Sequence, residues 1–317
     1  MTGPGVDGPV WIPSLPPSLE QFLAPNLQPL PVLPILGLIV AAAYLAGAIR
    51  LWTRGYRWSW IRTACFLLGS ALLVVITGAG IEGYGLRMFS VFMLQQLTLM
   101  MVIPPLLLLG SPGTLLLRAT PHRGIGRLTL QAALGCLRSR AAKFALHPVL
   151  VIPLMVLSLF GLYLSGAANV LLRSWIGHVS LEALFLFVGI LIAAPLVSAD
   201  PLPRRTSYVS RLFDAFVEMQ LHAGFGLVLT LSVAPVVAFF SDAPAAWNVD
   251  PVRDQWMAGA LAWTYGEVPL LVLLIVTLVR WQRQDTTRAV RAQDRTDAEM
   301  EEYNEYLRGL HSPRSSA

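Results

Sequence analysis

Five residues able to bind a proton or a metal lie inside apolar stretches of this chain, where such groups are costly and mark function by default. His178 and Glu182 stand four residues apart in one stretch, and Glu218 and His222 stand four apart in the next. On a helix that spacing puts both members of a pair on one face. Glu267 falls in the last apolar stretch, and Gln95 and Gln96 in the third. Imidazole with carboxylate suits a divalent transition metal, whereas thioether sulfur favours Cu(I). Met88, Met93, Met100 and Met101, with Met219 further on, would bring that sulfur if they face inward. The metal-ligand set read from the sequence is His178, His222 and Glu182, with Met93 beside them. The same groups could relay protons, or only hydrogen-bond between helices and fix packing, as Gln95, Gln96, Glu218 and Glu267 would. No nucleophile, base and orienting group can be assembled from the outer loops, so no catalytic residue is assigned and an enzyme is not expected.

The elements that must position these side chains are membrane spans. A helical span needs about 20 mainly apolar residues, because the hydrocarbon core is about 30 Å thick and a helix rises about 1.5 Å per residue. Seven stretches qualify: 31–51, 60–81, 88–109, 147–167, 175–197, 212–240 and 256–280. The third carries Pro104-Pro105 and the fourth Pro153, which membrane helices tolerate because neighbours satisfy the freed carbonyls. The expected fold is therefore all-α, a polytopic membrane protein of seven transmembrane helices. His178 then lies near the outer face, Glu182 somewhat deeper, His222 and Glu267 near the middle, and Glu218 toward the inner side. Composition agrees: 55% of the 317 residues are hydrophobic and 13% charged, against about 25% charged in soluble domains.

The basic residues set the orientation. Twenty of the 23 Lys and Arg fall in the loops after spans 1, 3 and 5 or in the tail, and only Arg87, Arg173 and Arg253 fall on the other side. The positive-inside rule puts the N-terminus outside and the C-terminus in the cytoplasm. Adding or losing a span would scramble this split, so it supports seven. It also explains the net charge of +5 without nucleic acid. Residues 1–30 form a proline-rich, extended extracytoplasmic segment with no basic run typical of a cleaved signal peptide. The transmembrane domain covers 31–280, with an inner loop, 111–146, that mixes basic residues with leucines and reads as an interfacial helix. Residues 281–317 form a charged cytoplasmic tail, helical from Asp285 to Leu310. Cys65 and Cys136 make no disulfide framework and both fall toward the cytoplasm, so an outer metal site must use His, Met and carboxylate.

The run from Phe89 to Met101, followed by Pro104-Pro105-Leu106 and Gly110-Ser111-Pro112, resembles the third-span signature of the multi-span CtaG family, assembly factors of caa-type cytochrome c oxidase. The resemblance continues through His147-Pro148, Gly177-His178, Asp200-Pro201, Met219, His222-Ala223, Asp254-Gln255 and Gly266-Glu267-Val268-Pro269, and covers nearly all of the chain beyond residue 30. It implies a bacterial plasma-membrane protein that helps to insert copper into the oxidase. Its partners would be oxidase subunits or another respiratory complex, and the lipid bilayer. Copper is the implied cofactor. The family pattern has histidine where this chain has Phe92, Gln96 and Leu184, and only His178 and His222 keep it.

Two other functions follow from the same residues. A diverged member that has lost metal handling would serve as a scaffold or accessory subunit of a respiratory complex. A small transporter would use Glu182, Glu218, His222 and Glu267 for ions or protons, although no inverted repeat or pair of broken helices supports it.

Overall fold

The computed structural model describes residues 6–197, 200 and 208–311, apart from the side chains of 280, 283, 284, 287, 288, 291 and 309–311. Arg204, Arg205 and Arg314, and the side chains of Arg280, Arg283, Arg288 and Arg291, lie outside the described part. The chain is helical, with no strand among the described residues and one isolated bridge from Asp7 to Ser174.

In chain order the helices are α1 (Leu19–Leu23), α2 (Val32–Thr53), α3 (Trp60–Gly78), α4 (Gly80–Gly85), α5 (Phe89–Leu97), α6 (Ile103–Leu109), α7 (Pro112–Ala119), α8 (Ile125–Arg138) and α9 (Arg140–Ala145). They continue with α10 (Pro148–Val156), α11 (Leu162–Leu164), α12 (Ala167–Leu171), α13 (Trp175–Val197), α14 (Tyr208–Leu231) and α15 (Pro251–His311). Among the described residues six helices are long and apolar enough to cross a membrane: Val32–Thr53, Trp60–Gly78, Phe89–Ala119, Trp175–Val197, Tyr208–Leu231 and Pro251–Val279. This is a multi-pass membrane protein.

The remaining expected span is shorter than the sequence suggests, a 17-residue apolar helix from Pro148 to Leu164. Its start is fixed by His147, whose Nδ1 accepts a hydrogen bond from the Val149 N–H at 3.2 Å. Its end is set by Gly166, which adopts a left-handed φ of +80°. At about 1.5 Å per residue it rises about 25 Å, short of the 30 Å core. Prolines explain the bulges. Pro153 has no N–H, and a π-turn follows over Leu157–Gly161. In the third span a π-turn over Thr98–Val102 likewise leads into Pro104-Pro105.

Other boundaries differ for local reasons. The stretch 212–240 ends as a helix at Leu231, where Gln255 takes over the backbone: its Oε1 accepts from Val236 N–H at 2.6 Å and its Nε2 donates to the Ala234 carbonyl at 3.1 Å. The inner loop is three helices, not one, broken at Thr120-Pro121 and at Ser139, whose hydroxyl caps α9. The N-terminal segment is not merely extended, since it forms α1 and packs on α4. The tail is one helix with the last span.

One hydrophobic core joins α5, α13, α14, α15 and the π-turns, with Phe89, Phe92, Tyr163, Phe185 and Phe225 almost wholly buried. Close contact between α13 and the third span is possible because Gly189 has no side chain: a Cβ there would lie 2.2 Å from the Met100 carbonyl oxygen. That contact sets the register between His178, on α13, and Gln95, on α5.

Candidate metal centre

The structure gathers three ionisable side chains at the end of the bundle that carries the N-terminus. Glu82 on α4, with His178 and Glu182 on the first turns of α13, place one ligand atom each within 4.8 Å of one another. His178 Nε2 is 2.9 Å from Glu82 Oε1 and 3.9 Å from Glu182 Oε1. All three residues are at most 4% exposed. The i,i+4 spacing of His178 and Glu182 does put them on one face, turned toward α4.

Gln95 holds Glu82 from the side. Its Nε2 donates to Glu82 Oε2 at 2.6 Å and to the Ile76 carbonyl at 2.9 Å, tying the carboxylate to the end of α3. The Phe92 ring packs against the His178 ring at 5.6 Å between centroids. The N-terminal segment covers this end. Asp7 N–H donates to the Arg173 carbonyl and Trp175 N–H to the Asp7 carbonyl, at 2.7 and 2.8 Å, just before His178. Trp11 is clamped by Gln28 through two hydrogen bonds of 2.7 and 3.0 Å. Tyr84, two residues after Glu82, donates from its hydroxyl to the Leu15 carbonyl at 2.9 Å.

Charge balance decides what this group can hold. Two carboxylates beside one imidazolium carry a net negative charge, and burying it uncompensated is costly, so protons or a cation must balance it. Nitrogen and carboxylate oxygen are ligands for a divalent transition metal. A tetrahedral ion with ligands at about 2.1 Å holds its donors about 3.4 Å apart. The observed separations of 2.9 and 3.9 Å lie on either side of that value. Glu182 Oε1 and His178 Nδ1 are buried without a hydrogen-bond partner, leaving the carboxylate oxygen free to ligate. The imidazole also lacks the carbonyl or carboxylate that usually anchors a metal-bound histidine from behind.

The other residues named from the sequence sit elsewhere. His222 is fully buried on α14, its Nδ1 3.0 Å from the Glu218 carbonyl oxygen and its Nε2 without a partner. Glu218 is buried near Asp214, Leu146 and Pro195, and Glu267 is half-buried on α15. Met93 is wholly buried in the core. Gln96 accepts a hydrogen bond from the Tyr163 hydroxyl. Sequence reasoning missed Glu82, because ending the second span at Ile81 put it in an outer loop. A carboxylate set among glycines and apolar residues in Gly80-Ile81-Glu82-Gly83-Tyr84-Gly85 was the available signal. It also left Asp254 without a role. Its carboxylate accepts from Phe89 N–H at 2.5 Å, from Ser90 N–H at 3.3 Å and from the Ser90 hydroxyl, capping α5 from the start of α15.

A family model described as cytochrome c oxidase caa3 assembly factor matches residues 42–284. Uncharacterized proteins of Mycobacterium bovis and Mycobacterium tuberculosis are each 36% identical over 282 residues, which is 86% of this chain and 43% of theirs. One from Mycobacterium leprae is 33% identical over 281 residues, with the same coverage. The chain thus spans 43% of the length of these relatives. No solved structure matches.

Proposed function

This chain belongs to the cytochrome c oxidase caa3 assembly factor family, and on that premise we propose that it assists maturation of the oxidase in the bacterial plasma membrane by holding a copper ion for transfer. The reading rests on one observation, the buried Glu82, His178 and Glu182 group with its ligand atoms within 4.8 Å. Copper is here the cargo. It arrives and leaves by ligand exchange, with no covalent step and no catalytic residue. Each incoming ligand of the client displaces one oxygen or nitrogen of the group, and protons return to the carboxylates as the ion departs. An imidazole without a hydrogen-bonded anchor suits release better than retention. The donor set contains no sulfur, so it takes a divalent ion in preference to Cu(I).

The basic residues supply the topology of this reading. With Pro148–Leu164 crossing as a short seventh span, 20 of 23 Lys and Arg face the cytoplasm and the site faces outward beneath the N-terminal segment. The client would be a copper-bearing oxidase subunit approaching from that side.

A second reading, a scaffold without metal, is favoured by Phe92 and Gln96. Where the family resemblance calls for histidine, Phe92 packs on His178 and Gln96 bonds to Tyr163. One complementation experiment separates the two. In a deletion strain, copper delivery predicts that Glu82→Gln with His178→Ala yields oxidase lacking copper. A scaffold predicts normal copper content with that variant and loss of the oxidase only in the deletion.

A further inference from the structure

The opposite end of the bundle carries a different kind of site. Between α2 and α7 runs an apolar groove of 460 Å³, lined by Val40, Tyr44, Gly47, Phe66 and Leu116 and closed at one end by Arg50. Residues 40 to 50 of α2 span about 15 Å, and Val40 and Leu116 stay 39% and 41% exposed at the rim. The groove is therefore open along its length to whatever surrounds the helices, which for a membrane span is hydrocarbon. Small residues make the room. Ala43, Ala46 and Gly47 line it from α2 with little or no side chain.

Arg50 is the polar anomaly of this groove. Its Nε is buried yet has no hydrogen-bond acceptor, and an unpaired buried donor on a charged group is costly. It stands in the last turn of α2, at the basic side of the membrane. On the far side of α7 a second hollow, of 560 Å³, is lined by Arg57, Arg118 and His122 among others. Among the described residues Arg50 is thus the one charged side chain lining a slot that is otherwise mostly apolar, and further arginines line the neighbouring hollow.

We infer that this groove binds a phospholipid with an anionic headgroup, one acyl chain lying along α2 and α7 and the phosphate accepting from Arg50 Nε. The occupant follows from the two halves of the site. A long apolar slot open to the bilayer takes a hydrocarbon tail, and an arginine at its inner end whose Nε has no acceptor takes a phosphate. The lipid would tie α7, and through it the interfacial helices α8 and α9, to the first span. The inference is independent of the metal centre, which lies at the other end of the molecule.

The full chain, delipidated in detergent, would be titrated with phosphatidylglycerol and with diacylglycerol, which has the tails but no phosphate, and the bound lipid counted by native mass spectrometry. The wild type is expected to bind phosphatidylglycerol about tenfold more tightly, the size of one buried charge-assisted hydrogen bond. Arg50→Gln should remove that preference and leave diacylglycerol unchanged. Ala43→Phe, which fills the groove without touching the charge, should weaken both lipids about tenfold. Glycerol phosphate, the headgroup without a tail, should not compete. Equal affinity for the two lipids, a preference that survives Arg50→Gln, indifference to Ala43→Phe, or displacement by glycerol phosphate would each overturn the inference.

Discussion

Gly85 and Gln95 offer a test of how the metal centre is held. A Cβ at Gly85 would lie 1.8 Å from Gln95 Oε1. In Gly85→Ala the amide must retreat by about 1.5 Å to regain ordinary contact near 3.4 Å. Its Nε2 moves with it, and the bonds of 2.9 Å to the Ile76 carbonyl and 2.6 Å to Glu82 Oε2 pass out of reach. A neutral hydrogen bond contributes about 1 kcal/mol and one to a carboxylate about 2 kcal/mol, so Gly85→Ala should cost about 3 kcal/mol. Equilibrium unfolding in mixed micelles measures this directly. Because the mechanism runs through Gln95, a double-mutant cycle is sharper than either variant alone. Gln95→Leu should cost a similar amount, and adding Gly85→Ala to it should cost less than about 1 kcal/mol more. Strictly additive losses, or no loss in Gly85→Ala, would mean that the glycine does not act through the amide that holds Glu82.

Asp254→Ala strips the cap from α5 and should destabilise the protein by about 2 kcal/mol, with Asp254→Asn costing about half as much because one acceptor oxygen remains; the same unfolding assay reads both. The N-terminal cover should lift in alkali. Burial pushes the Tyr84 phenol above its ordinary 10.0, so the folded chain holds that proton more tightly than the unfolded one. Its stabilisation is intact below pH 10.0 and is lost as pH rises through the higher folded value. Trp11 fluorescence should report an alkaline transition that Tyr84→Phe abolishes; a transition that persists in Tyr84→Phe argues against this role.

The sequence carried the helices well where apolar length alone decides them. The stretch 175–197 coincides with α13, and the expected starts at 31 and 60 match α2 and α3 within a residue. Hydropathy failed where polar side chains rather than apolar length end a helix. Gln255 terminates α14 from 24 residues beyond Leu231. Half the candidate site was visible too, since the i,i+4 spacing of His178 and Glu182 reports a shared face. Glu82 was hidden because its burial is tertiary: it depends on the cover made by residues 6–28 and on Gln95 reaching back from the next helix. His222 has the same spacing from Glu218, yet its imidazole turns to its own backbone. Spacing fixes a face but does not say what that face meets.

Titration calorimetry of Cu(II) into the purified full chain reads the Glu82, His178 and Glu182 group itself. A single ion should bind per chain, lost in Glu82→Gln and in His178→Ala and retained in His222→Ala. Binding that survives Glu82→Gln but disappears in His222→Ala, or no saturable binding at all, would mean that this group does not hold the ion.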